Sequence, residues 1–140
     1  MKKISKGHRS KKAHKACELS AKNENGYELR GKIWIEGKEG TFIGFGRIIL
    51  LERIKEYGSI SKAAKSMKMS YKHAWDLVES MNRQANTPLV ITTKGGKGGG
   101  GAYLTPEGEK SIQTFWKIYR NFKKFLEKEV KKLPFLKPTP

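Results

Sequence analysis

Ser70, Tyr71, Lys72 and His73 set a hydroxyl, a phenol, an ammonium group and an imidazole side by side, and all four can hydrogen-bond. Lysine can pair with guanine O6 and N7, while tyrosine can donate to a phosphate or pack on a thymine methyl. These are groups suited to the edge of a base pair. A second concentration of chemistry lies in the loop 94–101, Lys94-Gly-Gly-Lys-Gly-Gly-Gly-Gly101. Its glycines let backbone N–H groups approach a phosphate without obstruction, and Lys94 and Lys97 add charge there. Arg83, farther along the same run as Ser70, suits a phosphate oxygen.

Other chemistries fit less well. Gly96, Gly98 and Gly101 satisfy a G-x-G-x-x-G pattern. A strand rather than a helix is expected after it, no acidic residue follows at the required distance, and Lys97 precedes Gly98 instead of Ser or Thr. Neither a dinucleotide site nor a P-loop is expected. His8, His14 and Cys17 are spaced loosely on a lysine-rich tail and form an incomplete ligand set, so no metal is expected. No nucleophile and base share an apolar pocket, which argues against an enzyme and leaves no cofactor to assign. Cys17 is the sole cysteine, so an internal disulfide is excluded.

The elements that must position these groups are legible from periodicity. Residues 27–36 carry Tyr27, Leu29, Ile33 and Ile35 on one parity of a two-residue repeat, as in a half-buried strand, and 37–40 should turn. From about Gly44 to Tyr57 the stripe Phe45, Ile48, Ile49 and Ile54 predicts an amphipathic helix stopped by Gly58. Two short helices follow, with apolar stripes Ile60, Ala63, Ala64, Met67 and Ala74, Leu77, Val78, Met81. Ser59 or Ser61 can cap the first and Ser70 the second, with only Lys68 and Met69 between them. So short a connection forces a sharp angle, the helix-turn-helix arrangement.

On a helical wheel Lys72, Asp76, Glu79 and Arg83 lie opposite the buried stripe, with Tyr71 and Trp75 on one flank. Trp75 is read as a packing residue bridging to a strand or the glycine loop, and Asp76 and Glu79 as groups that orient Lys72 or Arg83 or pair with Arg or Lys of the first helix. Pro88 ends this third helix, and residues 89–93 and 102–104 read as strands on either side of the glycine loop. Thr105, Pro106 and Glu107 mark a new helix start. Ile112, Phe115, Tyr119, Phe122, Leu126 and Leu133 then alternate steps of three and four, a coiled-coil-like seam. A helix from Pro106 to Leu133 measures about 40 Å, more than a small core needs, so it is expected to pair with a second subunit, the alternative being that the aromatic stripe packs on its own chain.

The expected fold is mainly α with a small antiparallel β-sheet: a winged helix-turn-helix with a long C-terminal dimerisation helix. Four segments follow: a basic flexible tail (1–25), the DNA-binding domain (26–104), the dimerisation helix (105–133) and a Pro-rich end (134–140). Ile112, Phe115, Tyr119, Phe122 and Leu126 are the expected dimer contacts.

Thirty Lys and Arg against thirteen Asp and Glu give a net charge of +17, which points to a polyanionic partner, nucleic acid first and an anionic membrane surface second, and the elements above favour double-stranded DNA. No apolar run is long enough to span a membrane, and the N-terminal lysines do not lead into a secretory signal, so a cytoplasmic protein is expected. The tail suits non-specific phosphate contacts. Two other classes remain open: an architectural chromatin protein that coats DNA without sequence choice, and an RNA-binding protein.

The runs Gly58-Ser-Ile-Ser-Lys-Ala-Ala64, Met69-Ser-Tyr-Lys-His-Ala-Trp-Asp76 and Gly95-Gly-Lys-Gly-Gly-Gly-Gly-Ala102, with Leu104-Thr105, closely resemble the N-terminal DNA-binding domain of the molybdate-responsive regulator family ModE. The helix-turn-helix part alone is also similar to LysR-type regulators. The resemblance covers roughly residues 30–130. It implies a winged-helix homodimer, joined through its last helix, that binds a palindromic operator through the third helix and the wing. Family members also carry molybdate-binding domains, whereas this sequence ends at Pro140, so no molybdate site is expected in it. His73 stands where the family often has a smaller residue.

Overall fold

The computed structural model describes residues 18–94 and 100–134. It divides into two compact units, Trp34–Lys117 and a smaller one formed by Met1–Ile33 with Ile118–Pro140.

The larger unit opens with a hairpin, β3 (Ile35–Gly37) and β4 (Gly40–Ile43), numbered after the two strands of the smaller unit. Three helices follow: α1 (Phe45–Tyr57), α2 (Ile60–Ser66) and α3 (Tyr71–Gln84). A second hairpin, β5 (Val90–Thr92) and β6 (Ala102–Leu104), leads into α4 (Pro106–Val130), whose first half belongs to this unit. Both hairpins are antiparallel, with Gly37 opposite Gly40 at the turn of the first and Thr92 opposite Ala102 at the base of the glycine loop in the second.

α1 ends at Gly58, whose φ of 71° is left-handed and whose N–H donates to Ile54 O. That conformation favours glycine, which is why the helix stops where it does. α1 buries Ile48, Leu50, Leu51 and Ile54, so it is apolar on more than the single stripe its periodicity suggests. Ile60, Ala63 and Ala64 of α2 and Ala74, Val78 and Met81 of α3 are buried as expected, and the alanines permit close helix crossing. Ser59 caps α2 by accepting from Lys62 N, and Ser70 caps α3 by accepting from His73 N. Each cap supports its helix by about 1 kcal/mol. Between the helices Lys68 adopts φ 55°, and Met69 N donates back to Ala64 O at 3.0 Å, which closes the turn.

The smaller unit corrects the sequence reading. Residues 18–25 were assigned to a flexible tail and 27–36 to one strand. Instead β1 (Leu19–Lys22) pairs antiparallel with β2 (Glu28–Gly31), while Ile35 begins a different hairpin. The turn between β1 and β2 is built by Asn23, whose Oδ1 accepts from the N–H groups of Asn25 and Tyr27 at 3.0 Å. Asparagine favours such side-chain-to-backbone turns. Leu19 and Ala21 are buried against Leu126 and Val130 of the second half of α4, with Leu29, Tyr119, Phe122 and Leu133 packed around them. Glu18 holds Arg30 across the hairpin.

That packing bears on the expected dimer seam. Phe115 is 1% exposed in the larger unit and Leu126 is 3% exposed in the smaller, so both are filled by their own chain rather than offered to a second one. Tyr119 and Phe122 are partly covered in the same way. The apolar side chains of α4 that remain exposed are Ile118 and Phe125, seven residues apart, and Phe125 stacks on Phe122 with ring centroids 6.2 Å apart.

Candidate nucleic-acid interface

α3 starts at Tyr71 because Ser70 caps it, and this sets Tyr71, Lys72 and His73 as its exposed first turn. Lys72 reaches outward with 82% of its side chain exposed and pairs with Asp76 one turn on, Nζ to Oδ2 at 3.1 Å. An ion pair this exposed is weakly held, so the ammonium group is available for exchange to a base or phosphate oxygen. Tyr71 stacks on Trp75, ring centroids 6.2 Å apart and 25° between planes. Trp75 was expected to bridge to the strand or wing, but its ring partner is Tyr71 on its own helix.

At the far end of α3, Arg83 does not project freely. Its Nε donates to Glu39 Oε1 at 3.0 Å, and its Nη2 lies 2.9 Å from the same oxygen. The hydrogen bond to Glu39, with the charges of Glu39, Glu79 and Asp76, raises its pKa above the usual arginine value. Glu39 sits in the β3–β4 turn, which is docked on α3 by Gln84: Nε2 donates to Thr41 O at 3.0 Å and Oε1 accepts from Glu39 N at 3.1 Å. Asp76 pairs with Lys72 and Glu79 adds its charge near Arg83, whereas the Glu39 contact has no local sequence signal because it is distant in sequence.

The wing is rooted to the helix-turn-helix by two links and closed by a third set of bonds within itself. Asn82 of α3 accepts from Leu89 N at 2.8 Å and Val90 N at 3.2 Å and donates to Val90 O at 3.0 Å, so its amide fixes the start of β5 to the helix. Ala102 N donates to Gly58 O at 2.9 Å, which ties β6 to the turn before α2. Thr93 N donates to Gly101 O and Gly101 N to Thr93 Oγ1, both at 2.9 Å, closing the loop at its base. Lys94 is exposed just beyond that closure. Lys97 lies outside the described residues, as do His8, His14 and Cys17.

Asn82 was also missed by sequence reading. An asparagine inside a helix is a poor helix former, and that misfit was the available signal that its side chain serves the backbone of a neighbour. Thr105 supports the other side of the wing: it accepts from Gly108 N at 3.0 Å as the α4 cap and donates to Pro88 O at 2.7 Å. α4 is locked to α1 through Trp116, whose Nε1 donates to Glu52 at 2.7 Å, and through Lys55 with Glu109 at 2.8 Å.

No group of three or more His, Cys, Asp or Glu among the described residues is placed to hold a metal ion. None of the described helices is long and apolar enough to cross a membrane.

A capped helix-turn-helix followed by a two-stranded wing, with cations on both, defines a winged helix-turn-helix DNA-binding domain. Residues 45–109 match the bacterial regulatory helix-turn-helix proteins of the lysR family. The chain is similar to the molybdenum-pterin-binding protein MopB of Rhodobacter capsulatus, 44% identical over 96 residues that make up 69% of this chain and 36% of that protein. It is 43% identical over 81 residues to the transcriptional regulator ModE of Haemophilus influenzae, covering 58% of this chain and 32% of the relative. To the DNA-binding transcriptional dual regulator ModE of Escherichia coli strain K12 it is 49% identical over 69 residues, 49% of this chain and 26% of the other. The matches span about a quarter to a third of the length of these relatives. The chain is therefore similar to LysR-type helix-turn-helix proteins over residues 45–109 and to ModE regulators over part of their length.

Proposed function

We propose that this protein is a cytoplasmic, sequence-specific DNA-binding transcriptional regulator that acts as a homodimer on a palindromic operator. In this reading Ser70, Tyr71, Lys72 and His73 meet base edges or their immediate surroundings in the major groove, and Lys94 and Lys97 hold the phosphate backbone, with Arg83 joining them once released from Glu39. The observation that carries the reading is Lys72, almost fully exposed on the first turn of a helix whose start is set by Ser70 and whose flank is bonded through Asn82 to the wing.

The similarity to regulators named ModE supports transcription control. Homodimerisation is supported by the exposed apolar pair Ile118 and Phe125 on α4. Partly covered Phe122 extends that face, with Ile112 and Tyr119 at its margins, whereas Phe115 and Leu126 stabilise the subunit itself. The proposal assigns no oxyanion site and no enzymatic step to the chain.

An architectural DNA coat is the second reading, favoured by the net charge of +17. Selection of bound fragments from a randomised duplex pool, followed by competition, separates the two. A regulator yields an enriched sequence bound at least about a thousandfold more tightly than random duplex at physiological salt. Displacement by random DNA as readily as by the selected sequence establishes the coat instead.

A further inference from the structure

We propose that the Tyr71–Trp75 stack is a thymine-reading element, in which the exposed edge of the Tyr71 ring packs on the C5 methyl of one thymine in each half-site. The inference rests on the DNA-binding reading above and adds a specificity to it.

Tyr71 is 54% exposed, an unusual position for a large ring on the first turn of a helix. Its neighbours in that turn, Ser70, Lys72 and His73, are polar, so the tyrosine ring supplies apolar surface to a face otherwise built of hydrogen-bonding groups. The ring is not loose. Trp75, half-buried one turn on, lies nearly parallel to it with ring centroids 6.2 Å apart, an offset stack along one side of the ring. Such a contact restricts the tyrosine rotamer before any partner arrives, which lowers the ordering entropy of binding.

Flanked by the indole on one side, the ring offers its exposed edge outward. In the major groove of a duplex, bases remain stacked and show only their edges. The apolar group on those edges is the thymine methyl, while every other major-groove feature is a hydrogen-bond donor or acceptor. An apolar ring held beside Lys72 therefore complements a thymine next to a guanine: Lys72 takes the acceptors and Tyr71 the methyl.

The test uses the full chain and a duplex obtained by selection from a randomised pool. Each thymine is replaced in turn by deoxyuridine, which removes the methyl and preserves pairing. The expected result is one thymine per half-site whose replacement weakens wild-type binding about fourfold, the effect of losing one buried methyl-sized group. Tyr71→Ala should bind the thymine and uracil duplexes equally, and Tyr71→Phe should retain the discrimination because the ring, not the hydroxyl, makes the contact. Circular dichroism melts of both variants verify folding, and Trp75→Phe, which keeps a ring under Tyr71, should keep most of the discrimination.

The proposal is overturned if no thymine shows a methyl effect in wild type, if Tyr71→Ala still discriminates, or if Tyr71→Phe loses the discrimination. An enriched sequence with no methyl effect removes this proposal alone, whereas failure of the pool to yield any enriched sequence removes it together with the regulatory reading.

Discussion

Glu39 of the β3–β4 turn clasps Arg83 of α3, one carboxylate oxygen meeting both Nε and Nη2 at 3.0 and 2.9 Å. A cation at the end of α3 is thereby neutralised within its own chain, and the phosphate contact proposed for it requires exchanging one anion for another. Arg83→Ala should consequently weaken DNA binding less than Lys97→Ala does. Glu39→Gln should strengthen binding to all duplexes and steepen the dependence of log K on log salt by about 0.9, the value for one added phosphate contact. Salt titrations by fluorescence anisotropy check this, and an unchanged slope for Glu39→Gln means that Arg83 does not reach phosphate.

Lys97 belongs to the glycine-rich stretch 94–101 of the sequence, and its proposed partner is the sugar-phosphate chain. Its replacement by alanine should lower affinity for selected and random duplexes by the same factor and reduce the salt slope by about one unit. A loss confined to the selected sequence is the contrary outcome and assigns Lys97 to a base.

Phe115 separates the stability of the subunit from association of subunits. It is 1% exposed in its own chain, so Phe115→Ala should destabilise folding by about 3–5 kcal/mol, independent of protein concentration. Phe125 is 54% exposed, and Phe125→Glu should leave the far-ultraviolet spectrum intact while shifting the protein toward monomer in sedimentation. A Phe125→Glu protein that sediments like wild type removes this face of α4 from the proposed dimer.

Gly108 lies in the first turn of α4 where a Cβ would come within 2.3 Å of Leu89 O, a backbone atom that has little freedom to yield. Gly108→Ala should cost about 1–3 kcal/mol in denaturant unfolding and loosen the base of the wing. Unchanged stability contradicts the close approach of α4 to the start of β5.

Much of the larger unit was legible because its signals are local. Ser70 and Thr105 announce helix starts, Gly58 a stop, and the spacing of Ala74, Val78 and Met81 a buried face; each depends on residues within two turns of one another. What escaped depends on partners far apart in sequence. The strand Leu19–Lys22 is polar on one side and short, and its two buried residues are covered chiefly by Leu126 and Val130, more than a hundred residues later. The periodicity that marked Phe115 and Leu126 as apolar was equally compatible with a partner in the same chain or in another, because a stripe records what must be covered and not what covers it. Within the candidate site, the Lys72–Asp76 pair followed from helical spacing, while the Glu39 clasp and the Asn82 link join separate elements and have no local pattern.

The most direct test compares Lys72→Ala with wild type on a selected duplex and on random duplex at the same salt. Loss of about 1–3 kcal/mol on the selected sequence, roughly 5- to 150-fold, with random binding little altered, is the predicted result for a side chain that reads a base edge from the first turn of α3. Equal losses on both duplexes would contradict it, reducing Lys72 to one more phosphate contact and leaving the helix without its assigned role.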